Sequence, residues 1–332
     1  MIALADRAPA RPTEVFARRH RVRWYELLPW AAAVAGYFVF PDYLALGSQI
    51  LATILFALSI DLVLGYGGVI TLGQAAMFGT GGYTAGLLAA HGFGAPVPGL
   101  VIAGAAAALI GAISGVIVLR TRGLAQLMTT LMVAVMLYTA ANKASSITGG
   151  ANGLQNMVVT PVLGIFEFDL FGRTAYLYCL AVLFLIFLVM RAIVHSPFGR
   201  SLTGIRESEA RMNAIGAPVF GRRLIAYTIS AGMAGVAGAL IAQTTAFVAP
   251  DALSFVTSGD ILIMLLIGGV GRLYGAFVGV PVFMILQDRF AAIDPVYWYF
   301  WIGLLLVVMV MFARGGILGI VERVATRLRW QR

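Results

Sequence analysis

The sequence is poor in the residue types that soluble enzymes use for chemistry. Charged residues make up 11% of its 332 positions, and it contains three histidines, one cysteine and one lysine. A soluble domain carries about 25% charged residues. The lone Cys179 excludes a disulfide within the chain, and the scattered histidines give no metal-ligand spacing. We therefore predict no metal site and no catalytic centre.

The sequence also lacks a phosphate-binding loop. A Walker A loop places glycine directly before the lysine that reaches the nucleotide phosphates. The only lysine of the chain, Lys143, follows Asn142 instead. If ATP drives this protein, the ATPase is therefore a separate subunit.

Long apolar runs take the place of the missing charge. Hydrophobic residues make up 61% of the sequence, and its mean hydropathy is +0.93. Several runs approach the roughly 20 residues that a helix needs to cross the hydrocarbon layer, and the alternation typical of a β-barrel is missing. We predict an all-α, polytopic helical membrane protein with about ten transmembrane segments. Their limits are 29–40, 43–64, 68–90, 97–119, 124–141, 174–191, 223–243, 259–271, 275–288 and 296–313.

Glycine marks two places in these segments. Segments 259–271 and 275–288 are short, spanning about 20 Å each at 1.5 Å per residue, and a glycine-rich turn joins them. They are either two tilted helices or one re-entrant pair. Elsewhere Gly232, Gly235 and Gly238 recur every three residues, which favours a helix-packing seam over a pore.

The basic residues predict the sidedness of the chain. With the N-terminus inside and alternating segments, 20 of the 23 lysines and arginines fall on the inside, as the positive-inside rule requires. We expect a cytoplasmic basic tail at 1–28, a transmembrane domain at 29–314 and a second cytoplasmic basic tail at 315–332. The net charge of +9 is then an inner belt that binds anionic lipid. Nucleic-acid binding is not needed to explain it.

The longest inside loop is predicted to form a short amphipathic helix. Within residues 199–224 an apolar stripe recurs at helical spacing, formed by Leu202, Ile205, Met212 and Ile215. Glu207 and Arg211 lie away from that stripe, four residues apart, and are expected to support each other. Gly216 shortly before Pro218 predicts the helix end. Such a helix either lies on the lipid surface or docks into a groove of a cytosolic partner.

Three polar side chains within the predicted spans are candidates for a translocation path. A charge inside a membrane costs about 2.5 kcal/mol or more and usually faces a partner or a water-filled path. Asp61 lies in the middle of the second segment and is the first candidate. Asp260, near the outer start of the eighth segment, is either a helix cap or a substrate contact. Gln74 lines the same path or forms hydrogen bonds between helices, and we favour the hydrogen bonds.

The inside loop resembles the cytoplasmic coupling loop of ABC importer permeases, and more narrowly that of LivM-type permeases of branched-chain amino acid transporters. Those proteins carry GR-x-L-x-x-I-R-E-x-E in this position, as does this chain from Gly199 to Glu209. Further stretches match the same family in order and cover most of residues 50–320. They are LSIDLVLGYGGVITLGQAAMFGTGGYTAGLL at 58–88, TGGANGL at 148–154, SAGMAGVAGAL at 230–240, FVAPDALSF at 247–255, SGDILIMLLIGGVGRLYGAFVG at 258–279 and RGGILGI at 314–320.

The resemblance implies the permease subunit of an ATP-driven importer in the bacterial inner membrane. It implies a homologous second permease subunit (LivH-like), two cytosolic ABC ATPase subunits that bind ATP and Mg, and a periplasmic substrate-binding protein. It implies no cofactor in this chain, and a branched-chain or other hydrophobic amino acid as the substrate moved by alternating access. The residues that it assigns to the ATPase-coupling loop are Arg200, Arg206, Glu207, Glu209, Arg211 and Gly216.

Two departures from the family pattern bear on this interpretation. Gly216 lies seven residues after Glu209, whereas six is common in the broader ABC loop, and this spacing fits the branched-chain branch better. The family often has asparagine where this chain has Asp61, a change that can alter the substrate class or local proton behaviour. The alternatives are the same class of permease carrying urea or short amides, a proton-coupled secondary transporter using Asp61, and a passive channel.

Overall fold

A computed structural model describes residues 27–155, 157–161, 166, 169, 172–295, 297–312 and 315–319. Most of the two predicted basic tails lies outside these ranges. Within the described residues the chain is helical, and an isolated antiparallel bridge joins Leu154 to Val248. The predicted all-α class is confirmed.

The apolar helices follow the predicted segments one for one. Within the described residues there are ten of them, and two short polar helices, α7 and α8, lie between the sixth and seventh. The α-helices longer than four residues are α1 (Leu28–Val39), α2 (Leu44–Asp61), α3 (Gln74–Ala90), α4 (Pro96–Val118), α5 (Leu124–Lys143), α6 (Arg173–His195), α7 (Pro197–Glu207), α8 (Glu209–Ala214), α9 (Val219–Thr245), α10 (Phe255–Gly268), α11 (Gly275–Ile293) and α12 (Trp298–Phe312). A four-residue α-helix, Ser145–Thr148, and short 3-10 helices at Pro41–Tyr43, Gly150–Asn152 and Pro250–Leu253 lie in the connections. By length and composition, six of the described helical spans are able to cross a membrane. They are Pro41–Tyr66, Pro96–Val118, Leu124–Lys143, Arg173–His195, Val219–Thr245 and Gly275–Ile293.

Helix α2 continues into a π-helical turn, Leu62–Tyr66, before the chain reaches α3. A π turn widens the helix by one residue and is often found at functional sites. It ends at Tyr66, and after Gly67 the chain reaches Gly68, which adopts a left-handed φ of 67°. This irregular stretch lies beside the inside loop that is described below.

The core is built around α9, which crosses α3 and α4 at very short range. A Cβ added at Gly235 would overlap Ala107 Cβ, and one added at Gly81 would overlap the Gly235 backbone. A Cβ at Gly238 would overlap the Phe78 carbonyl oxygen in the same way. These glycines therefore form a packing seam, as their spacing predicts.

Helices α10 and α11 form an unequal pair. With 14 residues α10 is about 21 Å long, and with 19 residues α11 is about 28 Å long and exceeds its predicted segment. They interlock where a Cβ at Gly268 would overlap the Gly275 carbonyl oxygen and one at Gly279 would overlap that of Met264. Neither helix can slide past the other without separating their backbones.

Contacts between loops agree with the predicted alternation of sides. Leu154 and Val248, both in predicted outside loops, exchange backbone hydrogen bonds, and Thr160 N donates to Gly94 O (3.0 Å). On the opposite face, Arg122 reaches Glu209 across two predicted inside loops. Alternating spans bring these loops together in this way, whichever face is cytosolic.

Candidate functional site

The inside loop folds into two helices, so the single amphipathic helix predicted for it is wrong. Helix α7 ends before Ser208, whose extended backbone (φ −159°, ψ 100°) turns the chain into α8. Ser208 Oγ accepts a hydrogen bond from Arg211 N (3.3 Å), which makes Ser208 the N-cap of α8. Glu209 then stands at the positive end of that helix. A capping serine in the middle of the periodic pattern starts a new helix.

The predicted apolar stripe divides at this break. Leu202 and Ile205 on α7 are fully buried, and they seat the helix against the membrane bundle. Met212 on α8 packs its sulfur over Gly204, whereas Ile215 is 72% exposed. Half of the stripe therefore anchors the loop, and Ile215 is left on its surface.

The helix end predicted at Gly216 is confirmed, although it ends α8 and not one continuous helix. Gly216 has a left-handed φ of 78°, and its amide donates to the Asn213 carbonyl (2.9 Å). The favourable pairing expected between Glu207 and Arg211 needs both residues on one continuous helix. The break at Ser208 places them on separate helices, so that expectation is wrong. Both side chains are exposed on separate helices.

Arg206 fastens α7 to the inner end of α2. Its Nη1 donates a hydrogen bond to the carbonyl oxygen of Gly65 in the π turn. Its side-chain stem lies on Gly68, where an added Cβ would be 2.9 Å from Arg206 Cγ. The guanidinium therefore occupies a notch that only glycines leave open.

Glu209 fastens α8 to two other parts of the bundle. Its Oε1 accepts from Arg122 Nη2 (2.7 Å) in the α4–α5 loop, and its Oε2 accepts from Arg223 Nη1 (3.0 Å) at the start of α9. The Arg223 side chain is 17% exposed, whereas that of Arg122 is 78% exposed. The pair with Arg223 is thus the better shielded from water and salt.

The remaining predicted coupling residues face outward. Arg200, Glu207, Arg211 and Gly216 are all exposed, and Arg200 Nη2 lies 3.4 Å from the His195 carbonyl oxygen. The six residues predicted for this loop therefore serve two ends. Arg206 and Glu209 hold the loop on the bundle, and the other four are exposed on its surface.

Asp61 is the last residue of α2, at the inner end of the span and not in its middle as predicted, and it is fully buried. Its Oδ1 accepts a hydrogen bond from Gly271 N (2.6 Å) in the turn between α10 and α11. Its Oδ2 has no hydrogen-bond partner among the described residues. The side chain thus joins α2 to the α10–α11 turn, close to the notch that holds Arg206.

Gln74 begins α3 and is fully buried between helices. Its Nε2 donates to Ser230 Oγ (2.6 Å), and that hydroxyl donates to Ser59 O (2.6 Å). The chain of hydrogen bonds links α3, α9 and α2, in agreement with the interhelical alternative for this residue. Gln74 Oε1 has no partner among the described residues.

Asp260 lies in the second turn of α10 and is half-buried. Ser254 caps that helix by accepting from Val256 N (3.2 Å), so the capping alternative for Asp260 is wrong. The nearby Ser258, buried and not singled out by the sequence, accepts from Ala75 N (2.8 Å) and so satisfies the first turn of α3. Asp61, Gln74 and Asp260 thus lie on three different helices, and among the described residues no hydrogen bond joins one of these side chains directly to another.

Sequence reasoning missed the partners of Glu209. The sequence predicts Arg122 and Arg223 only as charges of the inside loops, because their pairing with Glu209 depends on how separate segments meet, and no local pattern encodes that. Gly271 was likewise only part of a glycine-rich turn. Among the described residues no group of three or more histidine, cysteine, aspartate or glutamate side chains could hold a metal ion.

The chain matches known transport proteins over most of its length. The family described as the permease component of branched-chain amino acid transport systems matches residues 43–310. The high-affinity branched-chain amino acid transport system permease protein LivM of Escherichia coli (strain K12) is 27% identical over 289 residues, 80% of this chain and 67% of that protein. LivM of Salmonella typhimurium is 26% identical over 307 residues, 84% of this chain and 71% of that protein. No solved structure matches.

The family match runs from the start of α2 almost to the end of α12 and includes both anchors of the inside loop. A probable LivM permease of Methanocaldococcus jannaschii is 28% identical over a shorter stretch of 109 residues, 32% of each chain. The chain is a multi-pass membrane protein that belongs to the family of branched-chain amino acid transport system permease components.

Proposed function

We propose that this chain is the permease subunit of an ATP-binding-cassette importer for branched-chain or other hydrophobic amino acids. Its family and the names of its relatives support this substrate class. On this proposal the chain holds no cofactor, and ATP and Mg bind to two separate cytosolic ATPase subunits. A homologous, LivH-like second permease subunit completes the translocation path, and a periplasmic binding protein delivers the substrate.

The anchored inside loop carries this proposal. A loop that merely lay on lipid would need no polar fastening to the bundle, yet Arg206 and Glu209 fix it to three separate elements. Arg200, Glu207 and Arg211 remain exposed as a charged surface that an ATPase subunit can engage. Because α7 and α8 are held firmly, a partner that moves them also moves the helices behind them, as alternating access requires.

The proposed setting is the bacterial inner membrane, with both termini and the inside loop in the cytoplasm. The basic residues concentrated on that face then bind anionic lipid. No nucleic acid takes part. The cytosolic side is also where ATP is available to the partner subunits.

Charge reversal on the exposed face of the loop tests the proposal. The chain is co-expressed with candidate ATPase, permease and binding-protein genes, and the complex is purified through a tag on the ATPase. The double variant Glu207→Arg with Arg211→Glu is expected to lose most of the co-purifying permease and the ATP-dependent uptake. Lys143→Glu, an exposed charge at the far end of α5, is the matched control. Equal recovery of both variants, or uptake that survives ATP depletion, would sink the proposal.

A proton-coupled transporter is the second candidate, because Asp61 has a buried carboxylate oxygen without a hydrogen-bond partner. It predicts uptake that continues without ATP while the proton gradient is held, and that stops in Asp61→Asn. Urea and short amides are the other substrates considered for an ABC permease of this kind. A ligand screen of the binding protein separates them from amino acids.

A further inference from the structure

The turn between α10 and α11, residues 269–274, is gripped by two side chains from different parts of the chain. Asp61 Oδ1 accepts from Gly271 N (2.6 Å), which fixes the turn to α2. Arg206 Nη1 approaches the same glycine, since a Cβ added at Gly271 would lie 2.8 Å from it. Gly271 has a left-handed φ of 76°, a conformation that glycine adopts without strain.

The two side chains meet at Gly65. Arg206 Nη1 donates to the Gly65 carbonyl oxygen, and a Cβ added at Gly65 would overlap Asp61 Oδ1 and lie 2.6 Å from Gly271 N. The π turn of α2, the α10–α11 turn and α7 therefore come together around two glycines, Gly65 and Gly271, which Asp61 and Arg206 contact. We use the name inner joint for Asp61, Gly65, Arg206 and Gly271.

Movement of the turn is passed on to two whole helices. Gly268, Gly275 and Gly279 interlock the backbones of α10 and α11 directly beyond the turn. Packed backbones move together or separate, because they have no flexible side chains between them to absorb a shift. A displacement at Gly271 therefore acts on α10 and α11 as one body.

We propose that Arg206 and Asp61 are positioning residues that transmit movement of the inside loop to the α10–α11 pair. This inference rests on the proposed ATP-driven function and deepens it. Arg206 follows α7 when the ATPase moves the loop, and it draws the inner joint with it. Asp61 keeps the turn attached to α2 and does so as a hydrogen-bond acceptor for Gly271 N, with no proton transferred.

The test is the amount of substrate taken up per ATP hydrolysed by the complete transporter in lipid vesicles. Asp61→Leu removes the acceptor and is expected to lower this ratio on the order of tenfold, in the range of measured couplings between sites, while the ATPases stay bound. Asp61→Asn keeps an oxygen that accepts from Gly271 N, so it is expected to restore the ratio to within about twofold of the parent chain, which is below the effect expected from a broken coupling. Gln243→Leu is the matched control, because Gln243 also makes buried interhelical hydrogen bonds, to Tyr178 and Pro96, but far from the joint.

Arg206→Ala is a second test of the same linkage. Because Arg206 is exposed, this variant can be measured even if Asp61→Leu does not assemble. It is expected to lower the ratio without releasing the ATPases. The double variant Asp61→Leu with Arg206→Ala is expected to have a ratio no lower than that of the more impaired single variant, because both substitutions break the same linkage.

Three results overturn the inference. A ratio in Asp61→Leu and Arg206→Ala equal to that of Gln243→Leu shows that the joint transmits nothing. Loss of uptake in Asp61→Asn as complete as in Asp61→Leu shows that a carboxylate, and not an acceptor, is required. Absence of ATP-dependent uptake in the unmodified complex refutes the proposed function, and the inference falls with it.

Discussion

The crossing of α9 and α3 offers a test in which a single methyl group decides. Gly238→Ala places a Cβ on the Phe78 carbonyl oxygen, 2.8 Å from the Phe78 carbonyl carbon and 3.0 Å from Gly82 N. These are backbone atoms of α3, so no side chain can rotate out of the way. Gly232→Ala, six residues earlier on α9, meets Ala108 Cβ and Gly104 O at 3.4 Å. That distance is ordinary van der Waals contact.

Gly238→Ala and Gly232→Ala are expected to change the stability of the protein in the same way, except for the overlap that Gly238→Ala creates. Each exchanges glycine for alanine within a helix, which favours the helix by about 1 kcal/mol. Overpacking a well-packed interior costs typically about 1–3 kcal/mol. At Gly238 the 2.8 Å carbon–carbon distance falls short of the optimum, roughly 3.5–4.0 Å, by about 1 Å, and α3 must move as a unit to recover it. We expect Gly238→Ala to be less stable than Gly232→Ala by about 2–3 kcal/mol.

Thermal unfolding of the purified protein in detergent measures the difference. Gly232→Ala is expected to unfold at or slightly above the temperature of the unchanged protein, and Gly238→Ala several degrees below it. A similar midpoint for both would show that α3 and α9 do not approach as closely as Phe78 and Gly238 indicate. The glycines of α9 would then not form a tight packing seam.

Two further predictions concern polar groups. Arg223→Ala is expected to lower the free energy of local opening of α8 by about 1–3 kcal/mol, and Arg122→Ala by less than about 1 kcal/mol, because the Arg223–Glu209 pair is the less exposed of the two. Hydrogen exchange across residues 209–214 measures both changes, and a larger effect of Arg122→Ala would contradict this expectation. Ser258→Ala is expected to lower the unfolding midpoint by leaving Ala75 N unsatisfied, at a cost of about 1–3 kcal/mol. Ser48→Ala is the control, since Ser48 Oγ donates only to Ala45 O within its own helix (2.7 Å), and equal midpoints for the two variants would refute the expectation.

The membrane architecture follows from the sequence because each span is a local property. A helix in lipid must satisfy its own backbone hydrogen bonds and present apolar side chains, so length and composition alone reveal it. The predicted segments and the ten apolar helices of the described chain agree in order, and most limits agree within four residues. α3 begins at Gln74, six residues later than its predicted start at 68. α11 runs five residues past its predicted segment, through Arg289 to Ile293. A charged residue near the end of a helix interrupts the hydropathy pattern without ending the helix.

The inside loop was harder to predict because two local signals compete there. The apolar period continues across Ser208, whereas serine followed by Glu209 is also a strong start signal for a new helix. The structure follows the cap. Leu202 and Ile205 already bury the face that seats the loop, so α8 gains nothing by keeping Ile215 on the same stripe. Polar capping decides where apolar burial is complete.

Two charged side chains, Arg206 and Glu209, hold the inside loop on the helix bundle. Glu209 holds α8 to the α4–α5 loop and to α9, whereas Arg206 holds α7 to α2 beside the α10–α11 turn. The two anchors therefore fasten the loop at two separate places. Both places belong to one connected bundle, because α9 interlocks with α3 and α4 and the Gln74–Ser230–Ser59 hydrogen bonds join it to α2. If an ATPase subunit pulls on α7 and α8 as proposed, the two anchors would transmit that movement to the bundle from both sides of the break at Ser208.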